Sequence, residues 1–199
     1  MLKIQKFNVQ IELTEPMLGT VPKDPNIYTQ YIASKAPSEF LACEEIDLEK
    51  TREDLEKTGY TGFHKDEKGL FLYDYQVMGF IKEAGNTLKD QLKIKNLRSK
   101  LNMFVYVAPR RIHFAKEPSE PLERPLRAMT MQGPRVTLAK SDTVPAGTKL
   151  SFQIELFEHK EIDAKVLRTL LEFGRFNGLG QFRTGGYGRF KVLRFEPAA

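Results

Sequence analysis

The sequence predicts an α+β fold for its 199 residues, and three observations lead to this prediction. Apolar side chains alternate with polar ones near the N-terminus, which is the period of a half-buried strand, at Phe7, Val9, Ile11 and Leu13. Residues 75–92 carry apolar side chains at helical spacing. The final third has the order strand, strand, helix, glycine-rich loop, strand. Together these elements approximate the βαββαβ order of a ferredoxin-like fold, and the length fits one domain over residues 1–199.

The segment after the first strand predicts little regular structure. The strand ends at Glu15-Pro16, because proline cannot donate a hydrogen bond to a β ladder. Residues 16–40 contain five prolines and glycines and are expected to be irregular, with a short helix near 27–34. The highly charged residues 44–57 fit either a surface helix with i,i+4 charge pairs or a loop. This charged segment belongs to a predicted insertion of approximately 35–66.

The middle of the chain predicts two strands and a second insertion. Residues 69–73 form a short strand before the helix, and residues 102–108, rich in β-branched and aromatic side chains, predict another. Residues 109–135 are rich in proline and arginine, which favours a projecting hairpin or long loop over a core element. The candidate nucleic-acid contacts in this insertion are Arg110, Arg111, His113, Arg124, Arg127 and Arg135.

The final third gives the clearest pattern. Residues 136–139 and 150–157 predict strands, the second with strict alternation. Asp163 is a plausible N-cap for a helix over residues 164–173, because its side chain can accept a hydrogen bond from an unpaired N–H of the first turn. The last strand is expected at 189–195.

Composition and charge exclude several classes of protein. No apolar run reaches the roughly 18 residues that a membrane span needs, and the N-terminus lacks the apolar core of a signal peptide. The single cysteine, Cys43, cannot form an internal disulfide, and the three histidines lack metal-ligand spacing, so we expect no metal or cofactor and a cytoplasmic location. The net charge of +5 divides into −1 over residues 1–100 and +6 over residues 101–199, which hints at a polyanionic partner for the second half.

The glycine loop, residues 178–190 (GLGQFRTGGYGRF), is the segment that most favours nucleic-acid binding. Bare backbone N–H groups can form anion sites, arginine forks bind phosphate oxygens, and aromatic rings stack on unpaired bases. The order helix, loop, strand excludes a P-loop or a dinucleotide-binding fingerprint, which need the loop before a helix. The alternative is that the glycines only make a tight connection. The candidate binding residues are Gly178, Gly180, Phe182, Arg183, Gly185, Gly186, Tyr187, Gly188 and Arg189.

The sequence resembles the RAMP superfamily, the repeat-associated proteins of CRISPR systems. The glycine loop with its preceding helix resembles the family's glycine-rich signature. Residues 144–156 (VPAGTKLSFQIEL) and 11–20 (IELTEPMLGT) are similar to segments of the backbone subunits of CRISPR effector complexes. Residues 63–85 (FHKDEKGLFLYDYQVMGFIKEAG) are similar to their central segment. The resemblance fits two alternatives, a CRISPR backbone subunit or a diverged relative outside CRISPR, such as a phage protein that coats single-stranded DNA or RNA.

This resemblance implies a ferredoxin-like, RRM-related RAMP domain whose inserted thumb-like hairpin is residues 109–135. It also implies binding of single-stranded RNA along the backbone of the RNA strand, and side-by-side packing of protein copies into a helical filament. Arg183 and Arg189 match the basic members of the loop, and Lys82 falls where the family often has a lysine. The family's usual proline-glycine-serine-lysine turn is replaced here by residues 76–82 (QVMGFIK).

Three functions fit the sequence. The one we favour is a non-enzymatic, oligomeric protein that coats single-stranded RNA or DNA, with other CRISPR or phage proteins as further partners. The second is a metal-independent RAMP endoribonuclease, for which His113, His64 and Asp24 are the weak catalytic candidates. The third is a protein-interaction or inhibitor module on the same fold. The choice between RNA and DNA is open, because it depends on contacts to the 2′-hydroxyl.

Overall fold

The computed structural model describes residues 3–23, 60–116, 119–130 and 133–198, which form a mixed α+β structure. The strands are, in chain order, β1 (Ile4–Leu13), β2 (Met17–Leu18), β3 (Val21–Pro22), β4 (Tyr60–Gly62), β5 (His64–Asp66), β6 (Gly69–Tyr73), β7 (Val105–Ala108), β8 (Arg111–His113), β9 (Ser119–Thr130), β10 (Gly133–Val144), β11 (Lys149–Phe157) and β12 (Phe190–Pro197). The described helices are α1 (Asp74–Leu88), α2 (Leu97–Phe104) and α3 (Ala164–Glu172).

The chain divides into two compact units. Unit 1 consists of Met1–Leu18, His64–Pro118 and Val144–Ala199, and unit 2 consists of Gly19–Phe63 and Ser119–Thr143. The single-domain assignment over residues 1–199 stays a prediction.

Unit 1 is built on a four-stranded antiparallel sheet with the strand order β12-β1-β11-β7. The predicted alternation places one face of this sheet in the core, where Phe7, Ile11 and Ile154 are buried. Helix α1 contacts β7 and α3 contacts β12, and the Phe80 ring meets the Phe190 ring edge-on with centroids 5.0 Å apart. The sequence elements therefore combine in the order β1, α1, β7, β11, α3, β12 around one core.

Helices α1 and α3 form where the apolar spacing of the sequence predicts them. In α1, Val77, Phe80 and Ile81 are buried on one face. Helix α3 begins at the predicted cap, where the Asp163 side chain accepts a hydrogen bond from the Val166 N–H at 2.8 Å. Such a cap contributes about 1 kcal/mol to stability.

The prediction of a strand over residues 102–108 is wrong for its first three residues, which belong to helix α2. Leu97 and Leu101 are one helical turn apart and fully buried. A Cβ placed on Gly85 of α1 would lie 2.4 Å from Cδ1 of Leu101, so the glycine leaves room for this leucine. Burial at i,i+4 spacing outweighs the β propensity of the segment, and the strand starts only at Val105.

In unit 2, β9 and β10 form a long antiparallel hairpin, with Thr130 opposite Gly133 at its tip and Ser119 opposite Thr143 at its base. Strand β10 also pairs in parallel with β4, which pairs antiparallel with β3. The hairpin therefore covers residues 119–144, and the predicted span of 109–135 is displaced towards the N-terminus.

Residues 111–113 do not belong to this hairpin. They form β8, which pairs with β6 in a three-stranded sheet of order β5-β6-β8 within unit 1. The last residues of the predicted insertion 35–66 form two short strands, because residues 60–62 are β4 and residues 64–66 are β5. Cys43, Asp24, the helix near 27–34 and the charged segment 44–57 lie outside the described residues.

Candidate nucleic-acid interface

The base of the glycine loop is a backbone crossing that only glycine permits. A Cβ on Gly178 would lie 2.2 Å from the carbonyl carbon of Gly188, and one on Gly188 would lie 1.9 Å from the carbonyl oxygen of Leu179. The Leu179 N–H donates to the Gly188 carbonyl at 2.9 Å. Gly180 adopts a φ of +85°, and its Cβ would meet the Leu18 carbonyl oxygen at 2.6 Å. These glycines therefore have a structural role, which the sequence left as one of two alternatives.

Several backbone amides of the loop are already paired within the protein. The N–H groups of Gly185 and Gly186 donate to the carbonyls of Phe182 and Arg183, at 3.0 and 2.9 Å, which closes a 3₁₀ turn. The Gly188 N–H donates to the Pro16 carbonyl at 2.8 Å. The expectation of bare N–H groups is wrong for these three glycines, so their amides are not available to an anion.

The side chains of the loop point in two directions. Phe190 is buried in the core, whereas Phe182 is 43% exposed and Tyr187 is half-buried. The Phe182 and Tyr187 rings lie 5.9 Å apart, tilted by 34°. The Arg189 guanidinium lies against Gly186, and its Nε is buried without a hydrogen-bond partner. The loop thus presents two aromatic rings together with two arginines.

Helix α1 anchors this loop through Glu83, a residue that the sequence did not single out. The Glu83 carboxylate accepts a hydrogen bond from the Asn177 side-chain amide at 2.9 Å and pairs with the Arg183 guanidinium. Lys82, the neighbouring family match, donates to the Asn102 side chain at 3.2 Å. Glu83 is separated from Arg183 by most of the second half of the chain, so no local pattern points to this contact.

The arginines of the predicted insertion do not come together. Arg110 and Arg111 lie in unit 1, and both are exposed. Arg111 is the first residue of β8, opposite Tyr73 of β6, and Arg110 directly precedes it. Arg124 is only 8% exposed in β9, which leaves little of its side chain for a phosphate. Arg127 and Arg135 lie on the hairpin strands opposite Val136 and Ala128, and their side chains are outside the described residues.

The two histidine candidates occupy one row across the three-stranded sheet. His64 and His113 face Phe71 from the two neighbouring strands, with ring centroids 5.5 and 5.6 Å from it. Burial lowers the pKa of His64 below 6.5. His113 Nε2 lies 3.0 and 3.1 Å from the two oxygens of Asp66. Partial desolvation opposes ionisation of Asp66, but hydrogen bonds from His113, the Lys68 N–H and Arg111 outweigh it and lower the pKa of Asp66.

Two further properties bear on function. Within residues 3–23, 60–116, 119–130 and 133–198, no group of three or more His, Cys, Asp or Glu side chains is placed to hold a metal ion. None of the described helices is long and apolar enough to cross a membrane.

Comparison with known proteins gives a likeness in fold. No family model matches the chain, and no curated protein matches its sequence. The structure is similar to a chain of the type III-B Cmr-β complex, solved by cryo-EM bound to cognate target RNA, with a TM-score of 0.53 and 11% sequence identity. The match covers 98% of this chain and 61% of that chain, so this chain spans less than two thirds of its length. At this identity the two chains share a fold, and RNA binding is a property of the Cmr-β complex.

Proposed function

We propose that this protein binds single-stranded nucleic acid without cleaving it, and that the glycine loop is the principal contact. The observation that carries the proposal is the presentation of Phe182 and Tyr187 beside Arg183 and Arg189 on a loop whose backbone is locked from below. Aromatic rings stack on any unpaired base, and arginines bind the phosphates between them. A rigid base lowers the entropy cost of ordering the loop on binding.

The fold is consistent with this proposal. The strand order β12-β1-β11-β7, with α1 and α3 as the crossover helices, supports the ferredoxin-like RAMP assignment that the sequence motifs imply. The likeness to a chain from an RNA-bound Cmr-β complex supports a nucleic-acid partner by analogy of fold. Packing of copies along the strand, the hairpin β9–β10 acting as a thumb, and CRISPR or phage partners rest on the same analogy.

The electrostatics favour a polyanion over a neutral ligand. The positive excess of the chain lies in residues 101–199, which contain the glycine loop. Arg183 is neutralised by Glu83 in the free protein, so a phosphate must compete with one carboxylate there. The Arg189 Nε is buried without a hydrogen-bond partner, so only the terminal nitrogens of that guanidinium can reach a phosphate.

The experiment is a titration of labelled single-stranded oligonucleotides with the Arg183→Ala/Arg189→Ala double variant, followed by fluorescence anisotropy at several salt concentrations. Loss of two phosphate contacts should weaken binding about tenfold or more and reduce the salt slope by about 1.4. The matched control is Arg98→Ala/Arg168→Ala, which makes the same charge change at exposed positions of α2 and α3.

A thermal melt checks that both double variants are folded. Undiminished affinity in the loop variant, or an equal loss in the control, would refute the glycine loop as the contact. In the first case the loop is structural; in the second, binding depends only on net charge.

A further inference from the structure

A second surface of unit 1 has the chemistry of a base-binding site. The three-stranded sheet β5-β6-β8 buries Leu70, Leu72 and Ile112 on one face. The opposite face carries a continuous layer of rings and guanidinium groups. We call it the stacking surface and define it by His64, Tyr73, Tyr75, Arg110 and Arg111; the Phe71 ring beneath them is buried.

The rings of this surface are in contact with one another. The Tyr73 and Tyr75 rings stack with centroids 5.2 Å apart and planes 18° from parallel. His64 meets the Tyr73 ring edge-on at 4.7 Å. Tyr75 lies at the outer end of the row and is 49% exposed.

The two arginines lie over these rings. The Arg110 guanidinium is 5.3 Å from the Tyr73 centroid and 5.5 Å from the Tyr75 centroid, and Arg111 is 5.2 Å from Phe71. Carboxylates hold both arginines in place, Asp74 at 2.8 Å and Asp66 at 3.1 Å. A guanidinium has five N–H donors, so each arginine keeps donors for a second partner while its orientation is already fixed.

The position of the surface on α1 relates it to the glycine loop. Tyr75 lies in the first turn of α1, and Glu83, which anchors the loop, lies eight residues further along the same helix. That separation is an axial rise of about 12 Å, the length of roughly three to four stacked nucleotides. Three to four nucleotides beyond those held at the glycine loop therefore suffice for the same nucleic-acid strand to reach the stacking surface.

We propose that the stacking surface holds the unpaired bases of the bound strand, with Tyr75 as the exposed stacking partner and Arg110 as the neighbouring phosphate contact. The proposal rests on the proposed function and adds to it a second contact that recognises bases, whereas the arginines of the loop recognise phosphates. Unpaired bases fit this surface because their flat faces match the rings and the phosphates between them match the oriented guanidinium groups.

The test uses two labelled 12-nucleotide probes with equal numbers of phosphates, oligothymidylate and a fully abasic strand. Tyr75→Leu should weaken binding of oligothymidylate about 5- to 150-fold, the range for loss of one stacked base, and leave binding of the abasic strand unchanged. Tyr106→Leu is the matched control, because Tyr106 is 48% exposed and lies on strand β7 of the other sheet. The chain has no tryptophan, so quenching of tyrosine emission by the bases gives a second readout, which Tyr75→Leu should reduce.

The outcomes separate the two proposals. If the wild-type protein prefers oligothymidylate to the abasic strand and Tyr75→Leu changes the affinity for neither, the bases stack on the rings of the glycine loop, and the stacking surface is refuted while the proposed function stands. If the wild-type protein binds both probes equally, base stacking is refuted at both surfaces. If Tyr75→Leu and Tyr106→Leu weaken binding equally, the effect is not specific to this surface, and that also refutes it. If the wild-type protein binds neither probe at low salt, both proposals fail, and a protein partner becomes the occupant to test.

Discussion

Substitution of Gly178 by alanine tests the backbone crossing beneath the glycine loop. A Cβ at this position would lie 2.2 Å from the Gly188 carbonyl carbon and 2.4 Å from the carbonyl oxygens of Gly188 and Tyr187. All three atoms are backbone atoms, so no side-chain rotation relieves the overlap. Overpacking of this kind costs about 1–3 kcal/mol where side chains can adjust, and a rigid backbone raises the expected loss of unfolding free energy to about 2–4 kcal/mol.

A matched glycine gives the opposite sign. Gly79 lies inside helix α1, and a Cβ there would have no atom within 4 Å. Gly79→Ala should therefore raise the unfolding free energy by up to about 1 kcal/mol, through helix propensity alone. Urea titrations followed by circular dichroism give both values, provided that the m-value is unchanged. A Gly178→Ala variant as stable as the wild-type protein would refute the crossing, and with it the rigid base on which the loop depends.

Three smaller perturbations test the helix cap, a half-buried histidine and the loop anchor. Asp163→Ala removes the acceptor for the Val166 N–H at 2.8 Å and should cost about 1 kcal/mol in a urea titration; an unchanged midpoint would contradict the cap. Burial lowers the pKa of His64 below 6.5, so the unfolded chain binds the proton more readily and stability falls as the pH drops through 6.5. When the pH is lowered from 7.5 to 5, the Tm of the His64→Phe variant should fall by less than the Tm of the wild-type protein. Equal decreases in Tm would count against this reasoning. Glu83→Gln removes the carboxylate beside Arg183 and should tighten single-strand binding about two- to fivefold at low salt in anisotropy titrations; weaker binding would mean that Glu83 positions the arginine.

The elements of unit 1 with strong local periodicity were predictable from the sequence. The alternation in β1 and β11, the apolar stripe of α1 and the cap at Asp163 are each encoded within a few residues. Helix α2 was not, because its formation depends on the pairing of Leu101 with Gly85 of another helix. A segment rich in β-branched and aromatic residues has two possible structures, and a distant contact selects between them.

The candidate site likewise has features that the local sequence predicts and features that depend on contacts between distant residues. The glycines, arginines and aromatics of the loop are adjacent in sequence, so their chemistry was readable as a motif. The pairing of the Gly188 N–H with Pro16, and of Arg183 with Glu83, joins residues far apart in the chain. The stacking surface was missed for the same reason: Tyr73 and Tyr75 become a site only when β8 brings Arg110 over them.

The measurement that tests the central claim most directly is the affinity of the wild-type protein for single-stranded RNA, single-stranded DNA and a duplex of one length, at low and moderate salt. The account predicts tight binding to a single strand that weakens steeply with salt, and poor binding to the duplex, because the bases of a duplex are not available for stacking. The ratio of RNA to DNA affinity then identifies the substrate. No binding at low salt, or binding to the duplex as tight as to either single strand, would contradict the account.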